Sequence, residues 1–192
     1  MEAIKLSLYV TNQATVATEL SEAFVLLWNN GLFNAVTLPI RMIYEIWGSV
    51  HYAHNIIKGM NDNFEVTQSK TTRLITGSRS NIELPWGGTS NITSVHILDF
   101  IRSLNDICPE AEENYNYLCE ACHPNFIRHA ELQIMGPKIN NWDNKNFQKN
   151  AHKLVNQTLF IMETALIGLT LDINESLELA LCYMIDNPNV KH

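Results

Sequence analysis

The stretch Phe33–Lys58, FNAVTLPIRMIYEIWGSVHYAHNIIK, decides the fold class. Ile43, Ile46, Trp47, Val50 and Ile57 recur at the three-, four- and seven-residue spacings that place side chains on one face of a helix. Gly59 follows at once and supplies a stop. Pro39 lies inside the pattern, so the helix either begins near Thr37 or kinks there, because proline lacks the N–H and clashes with the preceding turn. A helix of this length with so apolar a face needs other helices to bury it.

Upstream, Val16, Leu20, Phe24, Leu27 and Trp28 continue the helical spacing from Ala14 to Asn30, and Gly31 closes it. Before that, Ile4, Leu6, Leu8 and Val10 alternate, which predicts a short strand or extended arm over residues 1–13. One helix from Ala3 to Asn30 is the alternative, and four positions do not decide between them. Downstream, Phe64–Ile75 reads as a helix of poor propensity because of its threonines. Residues 76–93 form a long turn-rich loop pinned by Trp86, of a length that in compact domains is often functional. Ser94 is expected to cap a helix through Val95, Leu98, Ile101 and Leu104. Pro109 with Glu110, Glu112 and Glu113 marks the start of another, running to about Cys122 and ended by His123-Pro124. Asn125–Met135 reads as a short helix and residues 136–145 as a loop. A long helix from Asn146 to Leu169 follows, then a last one capped by Asn174 through Leu177, Leu181 and Ile185. The expectation is an all-α, single-domain bundle of six or seven helices over residues 1–192, with a short extended N-terminal arm as the open option.

Composition narrows the function classes. The formal net charge of −7, from 13 basic and 20 acidic side chains, argues against nucleic-acid binding, which needs a basic face. The N-terminus MEAIKLSLYV lacks a secretory pattern, so a cytoplasmic protein with free thiols at Cys108, Cys119, Cys122 and Cys182 is expected. Leu159–Leu171 is interrupted by Glu163 and is shorter than the ~20 residues of a spanning helix, so no membrane is expected. No phosphate loop, dinucleotide fingerprint, His-Glu-x-x-His or nucleophile elbow occurs, and no cofactor is expected.

Few residues carry a chemical signal. Arg41 and Glu45 stand four apart among apolar neighbours, so they share a face and should be partly buried. Such a pair either fixes helix register or belongs to a reactive site. Cys119-x-x-Cys122-His123 has the spacing of a haem attachment or half a zinc site, but no second ligand pair completes it. Buried thiols acting as small hydrophobes are expected there, and no metal. His51 and His54 could share a metal, yet no carboxylate at a useful offset completes the set, so partly exposed structural histidines are expected. Helical ribonucleases of toxin and defence systems carry a histidine four to six residues after an arginine. None of Arg41, Arg73, Arg79, Arg102 and Arg128 has one.

Three stretches, LPIRMIYEIWGSVHY (Leu38–Tyr52), PWGGTSNITSVHILD (Pro85–Asp99) and YNYLCEACHPN (Tyr115–Asn125), together resemble a family of uncharacterised, mostly bacterial helical proteins. The family has an Arg-x-x-x-Glu helix, a Trp-Gly turn and a Tyr-x-x-Leu-Ser-x-x-x-His-Pro/Gly segment. Cys119 stands where that pattern has serine. The resemblance implies that His123 joins Arg41 and Glu45 near Trp86, with Glu45 orienting the imidazole or taking its proton. Trp86, Tyr115 and Tyr52 are the candidate binding residues of the same stretches. Two functions follow as expectations. One is an interaction or scaffold protein, pairing with an unknown protein or with its own copy. The other is a hydrolase acting on a nucleotide or RNA, with His123 as general acid or base.

Overall fold

The computed structural model describes residues 1–77, 82–83, 89–90, 93–122 and 145–187. Within them the chain forms α1 (Glu2–Asn29), α2 (Phe33–Lys58), α3 (Phe64–Thr76), a two-residue antiparallel pair β1 (Ile82–Glu83) and β2 (Thr89–Ser90), α4 (Ile97–Ser103) running into a single 3-10 turn, α5 (Ala111–Cys122) and α6 (Lys145–Asp186). The protein is all-α. No helix among the described residues is long and apolar enough to cross a membrane. All four cysteines are free thiols.

The middle of the structure is α2. It packs against each of the five other α-helices, most extensively against α6 and α1. Its expected face is buried, and so are Ile40, Tyr44, Ala53 and Ile56, which widens the apolar face into most of the circumference. Such a helix is covered from several sides at once. The helix begins at Phe33, so Pro39 sits in its second turn and does not start it.

Helix ends follow local chemistry. Gly31 takes φ 68°, the Gly31 N–H donates to the Trp28 carbonyl, and the Leu32 N–H donates to the Leu27 carbonyl. That six-to-one and five-to-two pair of bonds terminates α1 and turns the chain into α2. Asn63 caps α3 by accepting from the Val66 N–H at 3.1 Å. The cap of α4 is His96, whose Nδ1 accepts from the Leu98 N–H, and not the expected Ser94.

One open boundary is decided, and another differs from expectation. Residues 2–29 form one helix and no extended arm: Ala3, Leu6, Val10 and Ala17 are buried at helical spacing, while Ile4 and Leu8 face solvent. Alternation and helical periodicity coincide over so short a run, and packing on α2 selects the helix. The expected last two helices are one, α6, about 63 Å long at 1.5 Å per residue. Asn174 lies inside it, because Thr158, Ile161, Ala165, Leu169, Asp172, Ser176 and Ala180 form one unbroken buried stripe. Residue 76 belongs to α3 and residue 145 to α6, and the first expected loop carries the β1–β2 pair, while residues 136–144 lie outside the described residues. The expected helix at Asn125–Met135 falls outside the described residues.

Close backbone approach is set by glycine. A Cβ at Gly168 would sit 2.3 Å from the Trp47 indole, and one at Gly48 would sit 2.9 Å from the Phe100 carbonyl oxygen. Glycine to alanine in a helix interior ordinarily stabilises by up to about 1 kcal/mol. Here Gly168→Ala is expected to destabilise by about 1–3 kcal/mol through overpacking. Urea unfolding reads the sign, and a stabilised variant would contradict the close contact.

Candidate functional site

Two polar clusters branch from α2, and burial separates them. The first contains the expected Arg41–Glu45 pair. The Arg41 Nε–H donates to Glu45 Oε1 at 3.0 Å, and the Tyr115 hydroxyl from α5 donates to the same oxygen at 2.9 Å. The guanidinium lies over the Tyr115 ring, 5.6 Å from its centre, as a cation on an aromatic face. Burial, and then the hydrogen bond to Glu45, push the Tyr115 phenol well above its ordinary value, so it remains a donor. The pair is partly buried, as its apolar neighbours suggest: the two side chains are 36% and 28% exposed. Glu45 also lines a shallow cavity of about 380 Å³ with Tyr9, Met42, Ser49 and Phe100.

Of the other expected members, Tyr115 joins this cluster and Tyr52 does not. Tyr52 is half-buried and packs edge-on against Phe100 of α4, with ring centres 5.4 Å apart. His123 and Trp86 lie outside the described residues. Cys119 and Cys122 are half-buried at the end of α5, and the Cys122 thiol donates to Thr37 Oγ1 at 3.8 Å.

The second cluster is buried and was not foreseen. Trp47 and His51, one turn apart on α2, both reach Asp172 of α6. The indole N–H donates to Asp172 Oδ2 at 2.8 Å. A carboxylate can only accept, so His51 presents its Nδ1–H, at 3.0 and 3.1 Å from the two oxygens. His54 stacks on His51 with ring centres 5.9 Å apart. Its Nδ1 lies 3.5 Å from Ser176 Oγ, and its Nε2 lies 3.9 Å from Glu175. Asp172, Ser176, His51 and His54 are all buried, so the histidines are not the partly exposed ones expected. The carboxylate that local spacing failed to supply comes from 121 residues away. Gly168 makes this geometry: it lets the indole lie against α6 one turn before Asp172. A tryptophan and a histidine at i and i+4, and an aspartate at helical spacing from Ile161, Ala165 and Leu169, were the signals present in the sequence.

The two clusters differ in how fully their polar atoms are engaged. Glu45 Oε1 is taken by two donors, both Asp172 oxygens are held, and Ser176 is fully buried. Comparison with known proteins finds no matching family model, no matching curated relative and no matching solved structure.

The clusters also differ in energetic weight. Asp172→Ala leaves two buried donors without an acceptor, each costing about 1–3 kcal/mol. Arg41→Ala removes a partly exposed i,i+4 pair worth about 0.3–0.5 kcal/mol. Urea denaturation of the two variants should rank them in that order, and equal losses would contradict it.

His54 makes stability pH-dependent. Burial, the largest effect, holds its pKa below the ordinary 6.5, aided by His51 and Lys58 and opposed by Asp172 and Glu175. The folded state therefore prefers neutral His54 more strongly than the unfolded chain does. Its contribution is present above the unfolded pKa and is lost as pH falls through the lower folded value. Stability should drop as pH falls below the ordinary value of 6.5, and the drop should be shallower in His54→Gln. Parallel profiles for the two proteins would remove His54 as the cause.

Proposed function

We propose that the chain is a helical interaction protein that pairs with a second copy of itself through the outer face of α6. The observation that carries this reading is a row of exposed apolar side chains: Phe160, Ile167, Leu171, Leu181 and Ile185, each more than half exposed. At 100° per residue they fall within a sector of about 80°, and they extend along about 38 Å of helix. Leu159 and Leu177 flank the row and are also exposed. Glu163, Asn174 and Glu178 fall in the same sector, so the apolar residues form two groups, Phe160 to Leu171 and Leu181 to Ile185, and exposed apolar groups rimmed by polar residues mark interaction sites.

A second copy fits because the row is apolar at both ends and has Leu171 near its centre. In an antiparallel twofold pair centred beside Asp172, Phe160 would oppose Ile185, and Leu171 would lie next to the axis. Closed twofold pairing of one patch on itself is the commonest form of self-association. The polar groups on α2 support the same reading, since they are spent on one another. The reading as a hydrolase acting on a nucleotide or RNA is the second one, and it has less support because Arg41 and Tyr115 both bind the one oxygen Oε1 of Glu45. The bacterial family resemblance and a cytoplasmic setting belong to this proposal, and the four free thiols fit the latter.

Light scattering on a sizing column tests it. The wild type is expected at twice the 21.9 kDa chain mass, and Ile167→Glu with Leu171→Glu at the chain mass with an unchanged helical spectrum. Added salt should favour the dimer by screening Glu163 and Glu178 on the same face. A wild type that stays monomeric at high concentration overturns the proposal.

A further inference from the structure

Two buried side-chain oxygens among the described residues have no hydrogen-bond partner: Glu2 Oε2 and Thr71 Oγ1. They come from different helices, α1 and α3, yet both residues line one cavity of about 370 Å³, together with Lys5, Thr72, Ile75 and Thr76. Glu2 is 6% exposed and Thr71 is 0% exposed. A buried polar group left unpaired costs about 1–3 kcal/mol, so two in one wall call for a compensating role.

The conformation of Thr71 sharpens the point. Its neighbours on α3 turn their hydroxyls back on their own helix: Thr72 donates to the Gln68 carbonyl at 2.7 Å and Thr76 to the Thr72 carbonyl at 2.8 Å. Thr71, more deeply buried than either, makes no such bond.

The lining chemistry sets the class of occupant. The Thr72 hydroxyl has given its proton to a backbone carbonyl, so its oxygen can only accept. Glu2 Oε2 can only accept, and the Thr71 hydroxyl can do either. Ile75 supplies an apolar wall. The ammonium of Lys5 is committed to Glu2 Oε1 at 2.8 Å. A single water has about 30 Å³ of liquid volume, and small-ligand pockets begin near 300 Å³. The space therefore exceeds that of one bridging water.

We propose that this cavity between α1 and α3 binds a small organic cation bearing N–H donors, an ammonium or guanidinium, anchored by Glu2 and Thr71. Entry needs side-chain rotation only. Both oxygens are shielded from solvent at rest, but the terminal torsion of a glutamate is broad. Lys5, 44% exposed, is held there by the Glu2 contact. As Lys5 swings out, the carboxylate turns its free lone pairs into the cavity, and the ligand's N–H groups replace the lysine's.

The test is an amide-resonance titration of the full chain with ethylammonium chloride and with methylguanidinium chloride, and with tetramethylammonium chloride as a cation lacking N–H donors. Saturable shifts confined to the first turn of α1 and to α3 are expected with the first two probes and not with the third. Thr71→Val, which keeps the shape and removes the hydroxyl, should weaken binding about fivefold or more. It should also leave the melting temperature unchanged or raised, because it deletes an unpaired buried oxygen. That combination separates loss of a ligand contact from loss of the fold. Glu2→Gln should weaken binding further. Absence of saturable shifts overturns the proposal, as does equal binding of tetramethylammonium or full affinity in both variants.

Discussion

The Asp172 carboxylate, held between Trp47 and His51, is the constraint around which the structure is arranged. A buried carboxylate is tolerated only when its oxygens are satisfied, and here one indole and one imidazole from a single face of α2 satisfy it. The bond fixes both the axial register and the rotation of α6 against α2, since a shift of one residue would carry Asp172 about 100° away. Gly168 is required by the same geometry, because any side chain there would push the indole off the α6 backbone. Ser176 and Ala180 then fall beneath the next two turns of α2, where the small side chains leave room for His54 and its stacked partner.

This arrangement explains which parts of the fold the sequence revealed. The bounds of α2 are readable because an apolar face and a terminal glycine report the same helix. The continuity of α6 is not, because its buried stripe contains Thr158, Asp172 and Ser176. To hydrophobic periodicity those polar residues look like an interruption, and Asn174 beside them looks like a cap. Only the partners on α2 show that Asp172 and Ser176 belong inside. At the N-terminus the ambiguity is of another kind: Leu6 and Val10 satisfy a period of two and a period of four alike. The α1–α2 contact decides it.

The candidate site divides along the same line. Arg41 and Glu45 are visible as a pair because helix geometry at i and i+4 is local, and their joining to Tyr115 lies in a stretch that the family resemblance had already singled out. Their partial burial is legible too, since the apolar residues flanking the pair in sequence place it at the edge of the buried face. Asp172 was invisible to spacing arguments because its partners lie more than a hundred residues away.

The distribution of polar and apolar side chains on α6 argues for what the fold is built to do. Its inner face spends polar groups, Asp172 and Ser176, on a specific lock with α2. Its outer face exposes Phe160, Ile167 and Leu171 where solvent would favour charge. The inner lock holds the helix in a single rotation, and that in turn presents the outer apolar residues as one aligned row. A freely rotating helix would present a changing one. In the proposed self-pairing, a second copy of the same locked helix supplies a row of matching periodicity by construction.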